Sequence, residues 1–230
     1  MNEILQGVVQ AVQLLLNGDE HTWRIIVLSL QVSGVALVFS TLVGIPTGAF
    51  LGLRRFLGRH MLIVLLYTGM GFPPVVIGLF VYLTLSRNGP LGQLGWLFTP
   101  QAMVVAQTII AFPLVAGFTM AAVMGVDPAL RTQVLALGAT TAQATRAILW
   151  EARLGVIVAV VAGFGGIISE VGAVMLVGGN IENSTRVLTT AIVLETRKGA
   201  FDVALALSFV LLTITFLINI VMLRLQGKVD

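Results

Sequence analysis

Long charge-free runs separated by short polar stretches dominate the chain. Residues 25–53 lie between Arg24 and Arg54, residues 61–86 between His60 and Arg87, and residues 102–126 end at Asp127. A fourth run, 154–181, is interrupted only by Glu170, and a fifth, 203–223, ends at Arg224. Each reaches the roughly 20 residues with which a helix crosses about 30 Å of hydrocarbon. Barrel strands of about ten alternating residues give no such runs. The pattern predicts an all-α polytopic membrane protein with five transmembrane helices, in a single transmembrane domain over residues 1–230.

Composition agrees and narrows the chemistry. Of 230 residues 57% are hydrophobic and 10% charged, and the mean hydropathy is +1.02; soluble domains carry roughly 25% charged residues. Without cysteine there is no disulfide framework and no thiolate metal site. His21 and His60 stand at the edges of apolar runs, far apart in sequence, and read as interfacial residues. The formal charge of +3 does not point to nucleic acid, because the basic residues fall between the apolar runs. Counted along the chain they set orientation. With the amino terminus outside, Arg54, Arg55, Arg59, Arg131, Arg146, Arg153, Arg224 and Lys228 are cytoplasmic, against Arg24, Arg87, Arg186, Arg197 and Lys198 outside. The carboxyl terminus is then cytoplasmic, and no regulatory domain is expected after the last span.

The first residues are apolar but lack the positive start of a signal peptide and carry Glu3. Asn2, Gln6, Gln10, Gln13 and Asn17 recur at helical spacing opposite Ile4, Leu5, Val8, Val12 and Leu15. Residues 1–17 are read as an amphipathic helix in the outer interface, with a frayed tail as the alternative.

The polar stretch over residues 127–153 is the longest on the cytoplasmic side. Asp127 followed by Pro128 is a capping side chain followed by proline at the first helical position. Leu130, Val134 and Leu137 form an apolar stripe, Gly138 is a break, and Thr140 with Gln143 has capping-box spacing. Two short helices bent at Gly138 follow, the second carrying Ala144 and Ile148 on one face. Such a loop either covers the bundle or presents the bend over residues 138–141 to a cytoplasmic partner. The sequence has no G-x-x-x-x-G-K-[ST] phosphate loop, H-E-x-x-H or G-x-S-x-G motif, so neither a nucleotide engine of that type nor a familiar hydrolase is expected.

Three membrane segments carry candidate function. Pro73 and Pro74 lie inside the second run and predict a bent or broken helix, and Phe112 and Pro113 repeat the theme in the third. Glu170 is an acid at depth, which suggests function by default. It is read as protonated or hydrogen-bonded to neighbouring helices and fixing their packing, with direct substrate contact as the alternative. The small residues around it, Gly163 to Ala173, suit close helix packing. Residues 187–194 form an apolar helical piece, re-entrant or interfacial, and Gly178, Gly179, Asn180, Thr185 and Arg186 are candidates for the outer mouth of a path.

The loop resembles the cytoplasmic loop of ABC importer permeases, whose consensus runs E-A-A, three residues, G, then about nine residues before I-x-L-P. Here the glycine is Gly138, preceded by Leu137, the isoleucine is Ile148, and Gly155 opens the next span; Thr132, Gln133 and Val134 replace the acid and alanines, and Trp150 and Glu151 the Leu-Pro. Together with "GFPPVVIGL", "ISEVGAVMLVGGNI" and "TRVLTTAIVLETRKG", it resembles permease subunits of the molybdate, tungstate and sulfate group, tungstate foremost. The resemblance spans about residues 15–225. It implies a type I importer fold, a homodimer of permeases in a prokaryotic inner membrane, and two ATP-binding subunits holding ATP and Mg. An extracellular or periplasmic oxyanion-binding protein completes the assembly, and this chain binds no cofactor itself. It further implies that Leu137, Gly138, Ala139, Thr140, Thr141, Gln143 and Thr145 dock the ATPase. The competing readings are the same machine with another cargo, a motor-free channel or secondary transporter, and a membrane scaffold.

Overall fold

The computed structural model describes residues 19–225 together with Val9 and Gln13. The amphipathic helix expected over residues 1–17 otherwise lies outside the described residues. Among those described there are helices and no strand. They are α1 (Glu20–Leu53), α2 (Arg59–Met70), α3 (Pro74–Leu85), a 3-10 turn at Gly92–Leu94, α4 (Pro100–Met124) and α5 (Pro128–Ala136). α6 (Thr141–Glu151), α7 (Arg153–Ile168), α8 (Gly172–Gly178), α9 (Leu188–Lys198) and α10 (Phe201–Leu225) complete the order. Among the described residues three helices, α1, α4 and α10, are long and apolar enough to cross a membrane alone. Counting α2 with α3 and α6 with α7 as bent spans gives up to five.

α1 starts at Asp19, whose Oδ2 accepts from the Thr22 backbone N–H at 2.8 Å and from the Thr22 hydroxyl at 2.5 Å. Those bonds hold the Asp19 carboxyl below its ordinary range. α4 is the hub: it packs on α1, α2, α3, α7 and α8. Its contact with α1 is nearly backbone to backbone, since a Cβ at Gly48 would stand 2.3 Å from the Ala116 carbonyl oxygen. Close approach of this kind lets helices associate in lipid, where no hydrophobic drive separates them from acyl chains. Ser40 adds a polar tie, donating to Ala36 in its own turn at 2.8 Å and to Thr108 on α4 at 3.1 Å.

Prolines act differently in the two places where the sequence has them. Pro73 and Pro74 divide the second run into α2 and α3, bent by 100°. Pro73 is extended and Pro74 takes the first helical position, as expected where a residue before proline is driven out of the helical region. α4 runs unbroken through Pro113, so the expected kink there is not a break. The fourth run, read as one span, is interrupted at residues 169–171 between α7 and α8. α7 is 16 residues, about 24 Å, and α8 continues the path.

α9 and α10 form an antiparallel pair turned at Gly199, which has φ +79°. Leu188 and Ala191 of α9 join Ala206, Leu207 and Val210 of α10 against Ile25 and Ile26 of α1. α9 therefore begins inside the bundle and ends at exposed Thr196, Arg197 and Lys198.

Candidate functional site

Three regions hold the residues singled out from sequence. The first is the bent loop. Asp127 Oδ1 accepts from the Ala129 N–H at 2.8 Å and starts α5. The helix ends at Ala136, and Gly138 adopts φ +86°, a conformation open to glycine and costly for most residues. Thr140 and Gln143 close the predicted box: the Gln143 N–H donates to Thr140 Oγ1 at 3.3 Å, and the Thr140 N–H donates to Gln143 Oε1 at 2.7 Å. α6 then lays Ala144 and Ile148 against the bundle, Ile148 in a cluster with Ala49, Val123 and Ala152.

What remains uncovered is the bend. Leu137 is 87% exposed, and Gly138, Thr140, Thr141 and Gln143 are exposed while Ala139 and Thr145 are half-buried. Leu137 thus departs from the stripe read from the sequence. The helix ends one residue earlier and the left-handed glycine turns the chain, so Leu130 and Val134 stay half-buried and Leu137 points away. Trp150 is also exposed, with the Arg153 guanidinium over its ring at 5.3 Å.

The second region is a pair of helix breaks that meet in the bundle. Val75, one residue into α3, lies against Gly172, where a Cβ would stand 2.5 Å from Val75 Cγ2. One turn on, a Cβ at Gly78 would be 2.6 Å from Ala173 Cα, so α3 and α8 touch by backbone. Glu170 sits half-buried at this junction, its Oε1 accepting from the Ala173 N–H at 2.9 Å. Its backbone carbonyl accepts from the Thr189 hydroxyl at 3.0 Å. Gln107 of α4 donates from Nε2 to the Ile167 carbonyl at 2.9 Å. Groups freed where a helix breaks must find partners in lipid, and here α4, α9 and the Glu170 side chain supply them. Of the sequence candidates this region contains Pro73, Pro74 and Glu170. Pro74 also lines an apolar cavity of about 610 Å³ with Phe72, Phe112, Pro113 and Gly166.

Gln107, Thr189 and Ser29, whose Oγ accepts from the Leu188 N–H at 2.8 Å, were not singled out from sequence. The one usable mark was Gln107, an amide alone in a charge-free run.

The third region is the turn over residues 178–186, holding Gly178, Gly179, Asn180, Thr185 and Arg186. Thr185 is fully buried. Its hydroxyl donates to the Gly178 carbonyl at 2.5 Å and accepts from the Ile181 N–H at 2.9 Å, so it binds the turn to itself. Asn180 has φ +52° and donates to the Thr190 carbonyl at 3.4 Å. Arg186 keeps its guanidinium near Glu182, Nη1 to Oε2 at 3.7 Å. Gly178 rests on Met103 near the start of α4, whereas the loop rests on Val123 near its end. The two regions are therefore about 30 Å apart along α4. Among the described residues no three His, Asp or Glu side chains come together to hold a metal ion.

Residues 44–230 match the family described as the inner membrane component of binding-protein-dependent transport systems. The chain belongs to this family. Among its relatives, a probable anion ABC transporter permease protein of Haloferax volcanii is 42% identical over 87% of this chain and 88% of the relative. The tungstate uptake system permease protein TupB of Peptoclostridium acidaminophilum is 40% identical over 99% of this chain and 100% of its own. The molybdenum transport system permease protein ModB of Escherichia coli K12 is 30% identical over 74% and 77%. The fold is that of the type I ABC importer permeases. The methionine ABC transporter MetNI in an inward-facing conformation superposes with a TM-score of 0.67 at 18% identity, covering 90% of this chain and 93% of that chain. An amino acid ABC transporter with histidines gives 0.63 at 18% identity, covering 93% and 94%. As an inner membrane component of such a system, the chain is a transport subunit.

Proposed function

We propose that this permease is the membrane subunit of an ATP-driven importer that carries an oxyanion, tungstate foremost, by alternating access. The observation that carries the cargo assignment is the 40% identity with the tungstate permease along the whole of both chains. Molybdate is the second reading, favoured by the shorter and weaker match to the molybdenum permease. The working assembly is a homodimer of permeases with two ATP-binding subunits below and an oxyanion-binding protein above. ATP and Mg belong to the partner subunits, and the chain itself binds no cofactor. It lies in the inner membrane with its amino terminus outside and its carboxyl terminus cytoplasmic, in accord with the excess of Lys and Arg on the side of residues 127–153.

The geometry supplies a route for the coupling. The exposed bend, from Leu137 to Thr141 with Gln143 and Thr145 behind it, is the surface offered to the ATPase. Ala144 and Ile148 transfer a push on that bend to Ala49 of α1 and Val123 of α4. Ala152, in the same cluster, joins α6 to α7 at a 68° bend, so the push also enters α7. α7 ends at the junction where Val75 lies against Gly172 and Thr189 binds Glu170, and α8 and α9 carry the displacement to the turn over residues 178–186. Packed elements transmit strain as bodies, so a small shift at the bend reaches the far end as a reorientation of half-helices. Pro73, Pro74, Glu170, Gly178, Gly179, Asn180, Thr185 and Arg186 belong to that gate and path, Thr185 by holding the turn in shape.

The test is uptake of labelled tungstate, molybdate and sulfate by vesicles holding the permease with its ATPase and binding protein. ATP-dependent uptake with tungstate preferred is expected; uptake that persists without the ATPase refutes the importer reading.

A further inference from the structure

A cavity of about 420 Å³ opens between the start of α1 and the turn over residues 178–186, lined by Arg24, Gln31, Asn183, Ser184 and Arg186. Its apolar wall is Ile25, Val27 and Leu28, of which Ile25 also packs against α9 and α10. The Arg186 side chain is only 13% exposed, and its Nε, wholly buried, has no hydrogen-bond partner among the described residues. Among the described residues the nearest anionic group is Glu182, at 3.7 Å, too long for a hydrogen bond. A guanidinium is always charged and carries five N–H donors. Taking one this far from water with so little in return is costly unless an anion meets it.

We propose that this cavity is an entry site for a tetrahedral oxyanion, held by the forked donors of Arg186 with Arg24 opposite. The inference rests on the oxyanion-importer reading and adds to it a place where the cargo first touches the permease. A guanidinium fork matches two oxygens of such an anion at once, and the Ser184 hydroxyl and the Asn183 and Gln31 amides bring further donors. At about 30 Å³ per water, the cavity has room for the anion and several of its waters. The turn is set before any ligand arrives, because Thr185 ties it internally and Asn183 sits at φ +59°.

Two carboxylates also stand here, and their geometry makes them exchangeable. Glu20 pairs with Arg24, but the two side chains are 80% and 59% exposed. Glu182 is 60% exposed at its long distance from Arg186. The exposed Glu20–Arg24 pair contributes only about 0–1 kcal/mol, and Glu182 stands too far from Arg186 for a hydrogen bond, so an arriving dianion displaces both carboxylates into solvent. Glu182 is then a competitor of the anion and not its ligand. That role separates an entry site from a plain structural ion pair.

Trp23, which lines the same cavity, provides the readout. Tungstate is titrated into the permease–ATPase complex in nanodiscs without binding protein, following fluorescence, with Trp23→Phe identifying the responding residue. The expected result is saturable tungstate binding that Arg186→Gln weakens about tenfold or more. Glu182→Gln, which removes the competing charge, tightens it about two- to fivefold. If Arg186→Gln fails to assemble, the Glu182→Gln shift decides alone. No saturable binding, or binding that Glu182→Gln leaves unchanged or weakens, overturns the site. A complex that imports tungstate yet shows neither effect keeps the importer function and loses the entry site. A complex that imports no oxyanion loses the importer reading itself, whatever the titration gives.

Discussion

The side-chain amide of Gln107, about two turns into α4, donates to the backbone carbonyl of Ile167 at the end of α7 across 2.9 Å. Gln107 is 3% exposed and Ile167 fully buried. The same carbonyl accepts from the Glu170 backbone N–H at 3.2 Å, so Gln107 adds an interhelical bond just where the helix stops at Ile168. It fixes the hub helix to the loose end of the broken span. Gln107→Met keeps the volume and deletes the donor. Interhelical hydrogen bonds in membranes are worth on average about 0.6 kcal/mol and at most about 1.7, so a modest loss of thermal stability in detergent is expected. Transported anion per ATP hydrolysed should fall more than stability does, since the break would no longer move with α4. Unchanged coupling at reduced stability would confine Gln107 to packing.

Glu170 gives a second prediction because its two partners use different atoms. The carboxylate oxygen accepts from Ala173, and the backbone carbonyl accepts from Thr189. Glu170→Gln retains an Oε1 acceptor in the same place and is expected to keep assembly and most of its transport. Glu170→Ala removes it and should cost about 1 kcal/mol, as for a lost helix cap, with loosened packing of α8 on α3. Uptake by the two variants is the measurement. Loss of transport in Glu170→Gln with normal assembly would mean that the charge itself acts on the cargo.

Which of these features could be read in advance follows from how local their causes are. The starts at Asp127 and Thr140 and the bend at Gly138 need only residues within one turn, and they stand where the sequence placed them. The division at Pro73 is local too, since two prolines determine the backbone on both sides. Pro113 looks equivalent in sequence, yet α4 continues through it while packed by five other helices. The break at residues 169–171 has no proline, and its partners Gln107 and Thr189 are 60 and 19 residues distant from the groups they bind. Only the folded bundle brings those together. At Thr185 the sequence shows a hydroxyl beside an arginine, and only the fold shows that its bonds are made within the turn.

Thr140 offers a local test of the loop. Its reciprocal bonds with Gln143 make Thr140→Ala cost about 1 kcal/mol, felt by α6 and hardly by the bundle. Hydrogen exchange should rise in α6 and stay unchanged in α1 and α4. Thr140→Cys, exposed at the bend, is expected to crosslink to the ATPase in the assembled transporter; an unreactive cysteine in an active complex would remove the docking assignment.

Gly138 and Gly58 together separate backbone strain from coupling. Both have φ +86°, and at both an added Cβ meets nothing within 4 Å. Alanine at either place therefore acts through the backbone alone, at a cost of roughly 1–2 kcal/mol for a left-handed L-residue. Gly58 caps the start of α2, outside the bent loop, while Gly138 sets the angle between α5 and α6. Gly58→Ala and Gly138→Ala should lose similar stability, but only Gly138→Ala should lower uptake per ATP hydrolysed. Gly138→Asn, which tolerates the left-handed region better, should recover part of it. Equal uptake per ATP in Gly58→Ala and Gly138→Ala would show that the bend angle does not transmit the motor's stroke.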